Sequence, residues 1–421
     1  RIWMTVQPQR ANTVRCVDDK GNKLQLRENV AILYDASGFG AKQMSFDLRR
    51  GELVYQQQGQ YHRMNEETGK IEAIKFSRTR TVGNSSQVVT CADGSLISHG
   101  NNRGLWRWTR DGKALPWKGA PDNSSKQTDV TSTAMVLGPV DNMAVFKDEI
   151  YVNPPGNWRL MSPKSGGAGP ITSLNVYGMD GKIKRTAIWQ CSVMAVPRVD
   201  LKGNIYLADV VRPRGRMSPK FFDGWGDPSF PRSFGSHNYM YGSIIKFSPE
   251  GGAVWLQKGV NKHKKTGKLF TEGEMPKDLL SKPEIPISYP GTYYRGLKDG
   301  TVQGAEWMRF GYAPYSAKFA AGGKPWCNCE NANFDVDGFG RVFYPNLGQF
   351  RVEMVDTENN WLGTFGRYGN QDEQAKGSDI PMAWPCYMTV SDKYVYVTDL
   401  MSLRTLRVKL AYRADETCPV R

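Results

Sequence analysis

Residues 326–331 read WCNCEN, and their two thiols, one residue apart, are the densest reactive group in the chain. Setting Asp337 against Asp200 places Cys191 opposite Asn328, between Cys327 and Cys329; setting Asp337 against Asp392 places Cys386 opposite Asn331. The four cysteines are then expected on the inner strands of three different repeats, at similar height. Convergent thiolates at such a place bind soft metals such as Cu(I) or Zn²⁺. They equally form disulfides that pin long loops, or stay as buried thiols. A C-x-C without a second C-x-x-C leaves all three readings open.

A second group is Ser236-His237-Asn238-Tyr239-Met240-Tyr241, preceded by Arg232 and the Arg212, Arg214 and Arg216 patch. Abstraction of the proton α to a uronate carboxylate needs a base, an acid for the leaving oxygen and a cation for the carboxylate. His237, Tyr239 and Arg232 supply these types. The same arginines, with Lys264 and Lys265 and the aromatic Trp225, also suit plain capture of an acidic partner, or form solvated basic loops. Only four histidines are present, His62, His99, His237 and His263, with no H-x-x-x-H or H-E-x-x-H pair and no C-x-x-C-H haem attachment motif. His99 is expected at a strand end as a structural residue. No P-loop, dinucleotide-binding glycine fingerprint or G-x-S-x-G elbow stands out.

These groups are carried by short strands. Residues 334–366, FDVDGFGRVFYPNLGQFRVEMVDTENNWLGTFG, alternate apolar and polar side chains between turns at Asp337-Gly338, Asn346-Leu347-Gly348 and 356–360. Four antiparallel strands with turns every 8 to 12 residues make one propeller blade. Weaker copies occupy residues 44–74, 88–113, 143–182, 199–209 resuming at Tyr241, and 388–410. The expected fold is therefore all-β, a β-propeller of six blades, or seven with an N-terminal strand, in one domain spanning 1–421. Two stretches, 212–239 and 261–324, break the rhythm and are read as long loop insertions on one face. A short turn is expected at 275–280.

The 334–366 unit resembles the NHL repeat, through Gly340-Arg341-Val342-Phe343-Tyr344, Phe350-Arg351-Val352 and Asp356. Residues 93–112, DGSLISHGNNRGLWRWTRDG, look like a blade of SMP-30/gluconolactonase-like propellers. The chain as a whole is similar to large NHL-like propeller proteins of planctomycete type. The resemblance implies a divalent cation, Ca²⁺ or another, at the central channel, held by oxygen ligands and able to polarise a lactone or ester carbonyl. Asn142, in Asp141-Asn142-Met143-Ala144-Val145, is the residue it carries over. The early Glu-Gly-Pro of that pattern is replaced by Phe39-Gly40-Ala41-Lys42.

The bulk numbers fit this architecture. The 421 residues include 44 glycines, 24 prolines and 11% aromatics, with mean hydropathy −0.53. No apolar run reaches the roughly 18 residues of a membrane span, and the start at Arg1-Ile2-Trp3 reads as a processed or trimmed chain. Of the seven cysteines, Cys16 and Cys418 lie near the two ends, which a closed propeller brings together. They are the expected disulfide of an oxidising compartment, so a periplasmic or secreted location is expected. Net charge +15 favours an acidic polysaccharide or acidic protein as partner, within a larger assembly or alone. Nucleic acid is disfavoured because no recognised module accompanies the charge. The expected function is a binding or scaffold propeller; the alternative is a carbohydrate-active enzyme, by uronate lyase or metal-assisted lactone hydrolysis.

Overall fold

The computed structural model describes residues 3–4, 16–17, 44–57, 60–77, 88–100, 104–115, 143–152, 172–180, 183–191, 196–216, 241–255, 278–290, 297–312, 315–316, 330–369, 373, 379–399, 402 and 404–410. Short alternating segments turn back at aspartates. Asp200 Oδ1 accepts the backbone N–H of Lys202 and Asn204, both at 2.9 Å. Asp337 does the same for Phe339 and Arg341 (3.0 and 2.9 Å). Asp356 repeats it for Glu358 and Asn360 (2.9 and 2.7 Å). One carboxylate thus satisfies two donors that a tight turn leaves unpaired. The glycine three residues on, Gly203 or Gly340, takes the positive φ (90° and 80°) that closes the first two turns.

The four-strand antiparallel run recurs five times. Sheet I comprises Ser45–Asp47, Glu52–Gln57, Gln60–Asn65 and Ile71–Ile74. Sheet II comprises Val88–Thr90, Leu96–Gly100, Gly104–Trp108 and Ala114–Leu115. Sheet III comprises Met143–Phe146, Glu149–Val152, Thr172–Gly178 and Ile183–Cys191. Sheet IV comprises Val196–Val199, Ile205–Asp209, Gly242–Phe247 and Ala305–Tyr312. Sheet V comprises Asp335–Val336, Val342–Asn346, Arg351–Val355 and Trp361–Phe365. A further sheet, VI, has three strands, Pro385–Val390, Tyr394–Asp399 and Arg404–Lys409.

The first strands of sheets I to VI neighbour one another in sequence order, and that of VI returns to that of I. The fold is an all-β β-propeller. Each interface between sheets has an apolar filling. Val54 and Ile74 meet Trp106 and Trp108 between I and II. Leu174 and Ile188 meet Leu207 and Phe247 between III and IV. Phe343 and Val352 meet Met388 and Val397 between V and VI. Full burial of such side chains stabilises by about 1.5–3 kcal/mol each.

The expected insertions are organised differently from the sequence reading. They leave opposite ends of the Gly242–Phe247 strand, one before Gly242 and one after Phe247, so they do not spring from one face. The second is not a bare loop. Gly252–Trp255 pairs in parallel with the last strand of sheet III, and the Glu284–Pro290/Leu297–Gln303 hairpin pairs with it in turn. Arg212–Pro213, from the first insertion, adds to the hairpin's far edge. Sheet III thereby extends to eight strands. Alternation was a poor guide because prolines interrupt the Glu284–Pro290 strand and Gly252–Trp255 is buried throughout. The turn expected at 275–280 falls at Leu279–Ser281, a short 3₁₀ segment.

Candidate functional site

The first strands of the sheets line a central channel, and their repeat register decides what faces it. The residue two before the turn-opening position is Ser45 in sheet I, Val89 in II, Arg198 in IV, Asp335 in V and Thr389 in VI, and all five line one cavity. The cavity encloses about 890 Å³, counting the space that opens to solvent. Its lining includes Leu48, Arg49 and Leu201, residues of the turns that follow the first strands, so the cavity opens at the turn end of the channel.

The polar centre of the channel is a charge pair joining sheets IV and V. Arg198 Nε donates to Asp335 Oδ1 at 2.9 Å, with the two side chains 10% and 14% exposed. Asp335 accepts three further bonds: from Val336 N at 2.9 Å, from Thr389 Oγ1 at 2.6 Å and from Val390 N at 3.0 Å. Four donors, one of them the Arg198 guanidinium, therefore hold both oxygens of this carboxylate within the propeller. Arg198 also donates Nη1 to Pro197 O at 2.9 Å, and its guanidinium lies 5.8 Å from the Phe334 ring centroid.

A second polar feature is the basic turn at the other end of sheet IV. Arg212 sits in the short added strand and is fully buried. Its Nη2 donates to Tyr241 O at 3.2 Å, and its guanidinium lies over Phe310 at 5.8 Å. Burial lowers it to about 10, so it stays charged at neutral pH. The chain then turns at 213–216, closed by Arg216 N donating to Pro213 O at 2.9 Å. Gly215 supplies the positive φ of 76° that the third position of this turn requires. Arg214 and Arg216 are exposed on it. Arg214 N donates to Pro286 O at 3.1 Å, fixing the turn to the added hairpin. Arg214 Nε is 3.7 Å from Asp299 Oδ1, a loose pair with side chains 52% and 67% exposed. Arg216 lies 5.9 Å from the Phe310 centroid, so Phe310 is flanked by both arginines.

Several expected site residues stand elsewhere than the sequence suggests. Arg212, expected on a basic surface, is an interior anchor. Cys386, expected at the channel mouth, is buried among Tyr312, Ala332 and Phe334 in the core that joins sheets IV, V and VI. The repeat alignment misplaced it because Ser391, and not Asp392, opens the turn of sheet VI through its bond to Tyr394 O. Cys191 ends the last strand of sheet III, and Cys16 pairs with Met4 in a two-stranded ladder. Cys418, Cys327, Cys329 and Asn142 lie outside the described residues, as do His237, Tyr239 and Arg232. So do Trp225, Lys264 and Lys265. Among the described residues no group of three or more His, Cys, Asp or Glu side chains is placed to hold a metal. No described helix is long and apolar enough to cross a membrane.

Sequence reasoning missed Arg198 and Asp335, which are 137 residues apart. The signal was available: both stand two places before aspartates that the repeat alignment pairs, Asp200 and Asp337.

The chain matches no family model and no curated protein. Among solved structures it is similar to an auxiliary nutrient binding protein from Bacteroides ovatus, at 11% identity and TM-score 0.42, over 94% of this chain and 82% of that one. It is also similar to virginiamycin B lyase from Staphylococcus aureus, at 10% identity and TM-score 0.39, over 91% and 99% of the two chains. A third likeness is to regucalcin, a calcium-binding protein from Agrobacterium tumefaciens, at 9% identity and TM-score 0.39, over 88% and 90%. At these identities and scores the likenesses assign neither a ligand nor an activity.

Proposed function

We propose that this chain is an NHL- and SMP-30-like propeller, acting outside the cytoplasm, that captures an acidic partner without transforming it. Sheet VI is read as the sixth blade. The partner is read as an acidic polysaccharide, in keeping with the net charge of +15.

The observation that supports the reading is the 213–216 turn. Two exposed arginines are presented on a turn whose own backbone is bonded to a hairpin and whose base is an arginine packed against Phe310. Such a device holds guanidiniums in place at little entropic cost, which favours bidentate contacts with carboxylates or sulfates. Asp335, the carboxylate at the centre of the described channel, is engaged by four donors.

The test is capture on immobilised polygalacturonate. The Arg214→Glu/Arg216→Glu pair is expected to lower affinity by about thirtyfold, near 2 kcal/mol, with an unchanged melting temperature. Arg212→Glu is expected to fail differently, losing stability, because it places a carboxylate where a buried guanidinium sat. Unchanged capture by the double variant removes the turn from the binding surface.

A further inference from the structure

The charges at the turn end of the channel do not all pair with one another. Four charged side chains line that mouth: Asp47, Arg49, Arg198 and Asp335. Asp47 is taken by Arg50, whose Nη1 lies 2.7 Å from its Oδ2. Asp335 is taken by Arg198. Arg49 remains. It is exposed, and only its backbone N–H is engaged, donating to Asp47 Oδ1 at 3.1 Å; among the described residues its guanidinium meets no partner. Arg198 bonds through Nε and Nη1, and its Nη2 is likewise unengaged among the described residues. The four lining charges sum to zero, but Arg50, behind the lining, takes Asp47, and the mouth is left with two sets of unused guanidinium donors.

Its walls are apolar in part. Phe46, Met143, Val145, Phe146 and Val199 line the cavity, and Leu201 stands at the rim 61% exposed. A large aliphatic side chain held open to water beside such walls is the kind of surface that ligand burial satisfies. An apolar cavity with a few fixed polar groups is the usual form of a small-molecule site.

We infer that the turn end of the channel binds a small monocarboxylate with an apolar body. A carboxylate supplies the counter-charge that Arg49 lacks among the described residues. A planar carboxylate matches the guanidinium fork, and the body replaces water against the walls. A neutral sugar leaves that guanidinium unanswered. The site lies at the opposite strand ends from the 213–216 turn and is independent of it.

The experiment is calorimetric titration of the full chain at low ionic strength with phenylacetate and its uncharged isostere phenylacetamide. Phenylacetate is expected to bind in the millimolar range or tighter, and the amide at least tenfold more weakly. Arg49→Gln, at a side chain that touches nothing, is expected to cost the acid about tenfold and the amide nothing. Arg214→Glu/Arg216→Glu is expected to change neither. Equal binding of acid and amide overturns the inference. So does the absence of binding, insensitivity of the acid to Arg49→Gln, or loss through the 214/216 variant.

Discussion

Residue types were legible here where their burial was not. Arg212, Arg214 and Arg216 read alike in the sequence, yet one is an anchor packed on Phe310 and two are presented to solvent. What separates them is a backbone pairing, Arg212 with Ser288, formed with a hairpin some seventy residues on. Asp335 shows the same gap between type and role. It is placed as a channel-lining carboxylate, the type that catalysis or a cation would use, but four donors, Arg198 among them, occupy it. Its role is to bind three sheets together, since its partners come from sheets IV, V and VI. Asp335→Ala is therefore expected to cost about 3 kcal/mol in chemical denaturation, chiefly by leaving Arg198 without its counter-charge. A cost below about 0.5 kcal/mol shows instead that channel water serves Arg198 equally well.

At the scale of elements, two contacts decide how the strands are assembled. The first is Gly251, which turns the chain from sheet IV into the added layer with φ 79°. A Cβ there falls 1.8 Å from Ala187 O, in the last strand of sheet III. Gly251→Ala is expected to part the layer from sheet III, seen as faster amide exchange at 253–255 and 284–303 with sheets I and II unchanged. Uniform exchange across the molecule contradicts that local attachment.

The second contact is Glu66, in the turn after Gln60–Asn65. Its Oε1 accepts from Ser391 Oγ at 2.6 Å and from Tyr396 OH at 2.8 Å, joining sheet I to sheet VI. Burial pushes its carboxyl above the ordinary 4.5, against the opposing pull of those two hydroxyls. A carboxyl raised in the folded state contributes stability that is complete below 4.5 and lost as pH rises through the folded value. Glu66→Gln keeps the acceptor and removes the charge. It is expected to melt at or above the wild type at pH 7, with the difference closing by about pH 4. A glutamine variant that melts lower at pH 7 shows that the ionised form is the one the closure uses.

For the whole molecule, the ring was legible because its unit repeats in the chain. Residues 334–366 carry the alternation, the Asp337 and Asp356 turns and the glycines together, and sheet V follows them closely. The layer at 252–303 was not legible. Pro286 and Pro290 stand inside one of its strands, and Gly252–Trp255 is buried at every position, without a two-residue period. The channel pair was hidden for another reason: repeats disclose which positions face the axis, but not which charges meet across it. The reading of Cys386 suffered from a one-residue slip in the alignment of sheet VI.

The account's central claim, that the propeller holds an acidic polymer on fixed arginines and leaves it intact, is tested most directly by incubating the protein with polygalacturonate across a salt series. Bound fraction and absorbance of unsaturated uronate are read together. The account predicts binding that weakens steeply with salt, a shallower salt dependence in Arg214→Glu/Arg216→Glu, and no growth of absorbance. Absorbance that grows with time, or binding indifferent to both salt and the two arginines, contradicts it.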